Sequence, residues 1–135
     1  MNTPSYIDNQ NAAPLSKGGM GWFVDHVLAK PEDGKSQMLN LTTDADLKGL
    51  PPTTIIAAEI DPLLSDGKML ADKLEQAGVK VHYQLSKGVT HEFFGMAAVV
   101  ADADAAQDLA AKKLREALSA NPGTQAKGVP GRPRP

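Results

Sequence analysis

The sequence predicts an α/β chain built on one βαβ unit, and three adjoining segments carry that prediction. In "LPPTTIIAAEIDPL" a run of β-branched and small apolar residues opens on two prolines and closes on Asp-Pro, which reads as a buried strand from Thr53 to Ile60. In "LSDGKMLADKLEQAG" Leu64, Met69, Leu70 and Leu74 fall near one helical face, and Gly78 stands where a left-handed residue ends a helix. In "VKVHYQL" Val79, Val81, Tyr83 and Leu85 alternate with Lys80, His82 and Gln84, the period of a strand with one more polar face. Strand, helix and strand in so short a span require parallel pairing and a right-handed crossover.

The flanking segments are helical or irregular. The first fifteen residues are polar, with prolines at 4 and 14. They run into "SKGGMGWFVDHVL", where Met20, Phe23, Val24 and Val27 recur on one helical stripe, with Ser16 as N-cap and Pro31 and Gly34 as the stop. Trp22 and Phe23 are expected to anchor this helix, and His26 and His82 to be exposed. Near the end, "DADAAQDLAAKKLREAL" sets Ala105, Ala106, Leu109, Ala110, Leu114 and Leu118 on one side. Its acids come early and Lys112, Lys113 and Arg115 late, as the helix dipole prefers. Residues 119–135 hold four prolines and three glycines without apolar periodicity, and are expected to be a disordered, basic Pro/Gly-rich tail after a 1–118 domain portion.

Bulk properties exclude several function classes. A chain of 135 residues supports one modest core. A formal net charge of -2 supplies no positive field to draw in nucleic acid or anionic lipid. Cysteine is absent, which removes disulfides, thiolate metal sites and a cysteine nucleophile and suits a reducing cytosol. No leader-like N-terminus and no membrane-length apolar run is present, so a cytoplasmic chain with no membrane span is expected. No His/Asp/Glu cluster has metal-ligand spacing, and "AKPEDGKS" fails as a phosphate loop because Pro31 removes a donor and Glu32 and Asp33 repel phosphate.

Two residues stand out as candidate catalytic groups. Asp61 directly follows the first strand, and His91, in "GVTHEFFGM", lies six residues past the last alternating position of the second. Both therefore project from the carboxyl ends of neighbouring parallel strands, the edge at which open α/β sheets hold ligands. A buried aspartate there would accept the Nδ1 proton of His91 and leave Nε2 to take a proton from a hydroxyl. The plainer readings are that Asp61 caps the following helix, with Pro62 in its first turn, and that His91 is an ordinary loop histidine. Phe93, Phe94 and Met96 are expected in the core beneath the turn.

The stretch "GLPPTTIIAAEIDPLLSDGKMLADKLEQAGVKVHYQLSKGVTHEFFGM" resembles the C-terminal part of an α/β-hydrolase of the hormone-sensitive-lipase-like esterase and lipase group, and "PLSKGGMGWFVDHVL" and "DLKGLPP" resemble it too. The resemblance implies parallel strands with flanking helices in an incomplete sheet. It also implies that Asp61, in "DPL", and His91, in "HEF", complete a Ser-Asp-His catalytic triad for carboxylic-ester hydrolysis, with no cofactor. Glu92 departs from the family, which more often has glycine there; the added carboxylate either acts on the ring or faces water.

A larger departure is that neither a Gly-x-Ser-x-Gly elbow nor an oxyanion loop of His-Gly-Gly-Gly type occurs in these residues. The expectation is a fragment, inactive alone, that acts on a small ester substrate when completed by the nucleophile-bearing portion. The rival expectation is a non-catalytic remnant or interaction module that forms homo- or hetero-associations through an exposed sheet edge.

Overall fold

The structure, a computed structural model, describes residues 1–119, so the expected tail from residue 120 onward lies outside the described residues. Its elements run α1 (Pro4–Asp8), α2 (Lys17–Val27), a 3-10 turn (Pro31–Lys35), β1 (Thr53–Ile60), α3 (Leu64–Gln76), β2 (Val81–Thr90), a second 3-10 turn (Phe93–Met96) and α4 (Ala101–Ser119). Strands β1 and β2 pair in parallel, with α3 as the crossover. This is the βαβ unit with flanking helices that the sequence predicts.

Local chemistry explains the crossover. Pro51 and Pro52 hold the chain extended into β1, whose first amide donates to the Lys80 carbonyl (2.9 Å). Helix α3 ends in a complete Schellman motif: Val79 N–H donates to Leu74 O (3.0 Å) and Gly78 N–H to Glu75 O (2.9 Å). Gly78 sits at φ 81°, a left-handed conformation that a side chain would strain. Leu74 and Val79, clasped by that motif, pack together with Leu47.

Alternate residues of β1 feed two separate cores. On one face Ala58 joins Val89, Phe93, Ala103 and Ala106, with Ile56 beside them, beneath α4. On the other, Ile55 and Val81 cover the Leu47–Leu74–Val79 cluster beneath α3. This is the period-two alternation of a strand buried on both faces.

Several expectations are corrected. Within the polar lead-in, Pro4 opens the short helix α1, which the sequence does not mark. Its Ser5 is buried: the hydroxyl donates to Pro62 O (2.6 Å) and accepts from Ser65 N–H (3.0 Å), tying α1 to the start of α3. Helix α2 forms with Ser16 as N-cap, but Trp22 (57 % exposed) and Phe23 (49 %) do not anchor it. They pack instead on each other and, through Trp22, on His26. Strand β2 continues beyond Leu85 to Thr90, so His91 follows it directly. In α4 the buried positions are Ala103 and Ala106, while Ala105, Leu114 and Leu118 are exposed, since the two-stranded sheet covers only the first turns of the helix. His82 is half-buried and its Nε2 has no partner among the described residues.

Candidate active site

Asp61 leaves the end of β1 and His91 the end of β2, and the pairing Ile60↔Thr90 sets the two side by side. His91 Nδ1 lies 2.8 Å from Asp61 Oδ2. Asp61 is 8 % exposed, and its other oxygen accepts the Leu63 N–H (2.8 Å). Asp61 does not cap α3, whose N-cap position is Leu63 without a side-chain cap; its Oδ1 restrains the turn ahead of the helix while Oδ2 holds the imidazole. With Nδ1 donating to a carboxylate, the neutral ring carries its free lone pair on Nε2.

The turn beyond β2 fixes the ring from behind. Phe93 is buried in the α4-side core, whereas Phe94 (41 % exposed) and Met96 (46 %) are not in the core as expected. The turn is pinned at its far end instead, where Gln107 Nε2 donates to Phe94 O (2.6 Å). Glu92 adopts φ 70°, the left-handed region, and its Oε1 stands 3.5 Å from His91 Nε2. Its side chain is largely exposed, so the carboxylate addresses the ring from solvent.

Asp61 and His91 open onto a hollow of about 700 Å³. Apolar side chains from β1, α3 and the 39–42 loop line it, among them Leu39, Leu41, Ile55 and Leu70. Its charged lining residues are Asp61, Asp66 and Glu92, beside His91; among the described residues no lysine or arginine contributes. Tyr6 closes one side. Burial, reinforced by the Asp66 and Asp61 carboxylates, pushes its phenol up to about 12. Asp66 is also raised above the ordinary carboxylate range, chiefly by burial, with Asp61 adding to it and the chain's N-terminal amine opposing.

Asn9 and Glu59 are structural partners of this site that the sequence did not single out. Asn9 Nδ2 donates to the carbonyls of Asp61 (3.2 Å) and Glu59 (3.4 Å), and Glu59 Oε2 accepts the Gly88 N–H (2.8 Å). No periodicity marks either residue, because each works through a backbone group remote in sequence. No group of three or more His, Cys, Asp or Glu residues suited to a metal ion occurs among the described residues. Among them, too, no helix is long and apolar enough to cross a membrane.

Comparison with known proteins assigns the family. The family described as the alpha/beta hydrolase fold matches residues 1–95. This chain belongs to that family. It is 32 % identical over 123 residues to the carboxylesterase NlhH of Mycobacterium tuberculosis, covering 89 % of this chain and 39 % of the relative. With the human hormone-sensitive lipase it shares 33 % identity over 91 residues, 67 % of this chain and 8 % of that protein. Among solved structures, the thermophilic carboxylesterase EstE1, cloned from a metagenomic library, superposes with a TM-score of 0.81 at 31 % identity, over 86 % of this chain and 40 % of that one. The relatives place the chain in the hormone-sensitive-lipase-like group of esterases and lipases, and it spans well under half the length of each relative named here.

Proposed function

We propose that these residues supply the Asp-His pair of a serine-type carboxylic-ester hydrolysis, with the nucleophile lying outside them. The observation that carries the reading is the 2.8 Å contact between Asp61 and His91 Nδ1 at the edge of an apolar hollow. In this reading His91 Nε2 takes the proton of a serine hydroxyl as its oxygen attacks the ester carbonyl, and returns it to the departing alcohol. Asp61 fixes the ring tautomer and stabilises the imidazolium formed in between. Water then repeats the cycle on the acyl-serine and releases the carboxylic acid. The hollow, apolar and without a cation in its described lining, suits a small uncharged ester. A relative from Pseudomonas putida, 30 % identical over 97 residues, is an ethyl acetate hydrolase, which agrees with that substrate class.

The test is complementation. The full 135-residue chain is assayed on p-nitrophenyl acetate alone and with a separately produced, nucleophile-bearing portion of an esterase relative. Alone it should show no turnover above a His91→Ala control; combined, turnover should appear. Asp61→Asn should then lower that turnover by up to about 10⁴-fold through the wrong ring tautomer. Hydrolysis by the chain alone that vanishes with His91→Ala and with one serine substitution would contradict the division of the site. A complex that forms and never turns over would favour the interaction-module reading, for which the unpaired edge of β1 is the supporting feature.

A further inference from the structure

The pairing of β1 and β2 contains an irregularity whose size matches what the Asp61–His91 contact needs. Ala58 pairs with Ser86, yet two residues later Ile60 pairs with Thr90. Strand β2 therefore spends two more residues than β1 over this interval. Had the register continued unbroken from Ala58↔Ser86, Asp61 would stand beside Val89. His91 would then lie two residues, about 6–7 Å, further along the sheet edge. The bulge also switches faces: Val81 lies on the α3 side, whereas Val89, eight residues on, reaches the α4-side core.

A bulge of this kind leaves backbone groups without a ladder partner, and one of them is met by a side chain. Gly88, at φ 70°, turns its N–H out of the ladder, and the Glu59 carboxylate, from the stretch of β1 opposite, accepts it at 2.8 Å. Asn9 bridges the carbonyls on either side of Ile60, those of Glu59 and Asp61. We infer that Glu59 is a positioning residue: by accepting the Gly88 N–H it holds the two-residue bulge of β2 that brings His91 into register with Asp61. It touches neither residue of the pair and acts only through the strand that carries His91. That assignment rests on the catalytic reading of the pair proposed above.

The experiment reads the pair directly, by proton NMR of the full chain. The His91 Nδ1–H, held by Asp61, should give a far-downfield signal protected from exchange with water. Glu59→Gln keeps an oxygen able to accept the Gly88 N–H and should keep that signal. Glu59→Asp keeps the charge without the reach, and Glu59→Ala keeps neither, so both should lose the signal while amide resonances elsewhere stay in place. Retention of the signal in Glu59→Asp or Glu59→Ala, or its loss in Glu59→Gln, would overturn the inference. If Glu59→Ala does not fold, the Gln and Asp variants decide between them. Unfolding of Glu59→Gln as well would make Glu59 a residue of the fold rather than of the pair, again overturning it. A signal indifferent to Glu59 sinks this inference alone, failed complementation beside a Glu59-sensitive signal sinks the hydrolase reading alone, and absence of the signal from the wild type sinks both.

Discussion

Asp61 divides its two oxygens between backbone and ring, and the residues around it carry the electrostatic consequences of having a carboxylate there. Tyr6 is the clearest case. Its phenol, ordinarily near 10, is raised to about 12 by burial and by the neighbouring Asp66 and Asp61 carboxylates. An acid whose proton is held more tightly in the folded state contributes stability while both forms keep the proton. That contribution drains away once the unfolded chain can ionise. Urea melts should therefore show stability falling between pH 10 and about 12. Tyr6→Phe should flatten the fall, and an equally steep alkaline loss in Tyr6→Phe would place its origin elsewhere.

Glu92 supplies a second prediction at the same scale, because it holds φ 70° with a side chain that, among the described residues, makes only one largely exposed ionic contact. A left-handed non-glycine residue costs roughly 1–2 kcal/mol, and an exposed ion pair returns little of that. Glycine adopts the conformation freely but gives up more chain entropy on folding. Glu92→Gly should thus stabilise the fold by about 0.5–1 kcal/mol in urea titrations. A destabilised variant would mean that the carboxylate facing Nε2 contributes more than its exposure suggests.

At the scale of elements, readability in the sequence followed locality. The bounds of β1, the glycine stop of α3 and the Ser16 cap of α2 are written in adjacent residues, and the structure has each of them. Strand β2 runs past the "SKG" break in its alternation, because that break is a bulge inside the strand and not its end. Helix α1 is too short to carry a period, and what holds it is Ser5 bonding to residues nearly sixty positions away. Helix α4 shows a further limit. Its apolar positions specify a helix, but which of them are buried depends on how much sheet lies beneath, and two strands reach only Ala103 and Ala106. For the candidate site, the two residue types and their strand-end positions were visible in Asp-Pro-Leu and His-x-Phe. The bulge shows locally only as the "SKG" break; its size, and the part of Glu59 and Asn9 behind it, depend on pairing register.

The molecule as a whole is a thin sheet with separate cores on its two faces, and this arrangement governs how its stability should respond to change. Neither core is large: one rests on Ala58, Val89, Phe93, Ala103 and Ala106, the other on Leu47, Leu74 and Val79. Strand β1 carries no lysine or internal proline of the kind that blunts an exposed edge, whereas β2 has Lys87 and its bulge. With few strands to transmit strain sideways, packing loss in one core should stay on its own face. Leu74→Ala, at a side chain 2 % exposed, should cost about 2–5 kcal/mol through lost transfer energy and a cavity. Ala106→Gly, beneath α4 and 4 % exposed, should cost about 1 kcal/mol, mainly in helix propensity. The two residues share no cluster, so the double variant should lose the sum of the single losses to within about 0.5 kcal/mol, measured by urea denaturation with complex-free chain. A milder Leu74→Val background serves the same cycle if Leu74→Ala leaves too little folded protein to measure. A coupling well above that margin would mean that β1 passes strain from face to face and that the two clusters behave as one core.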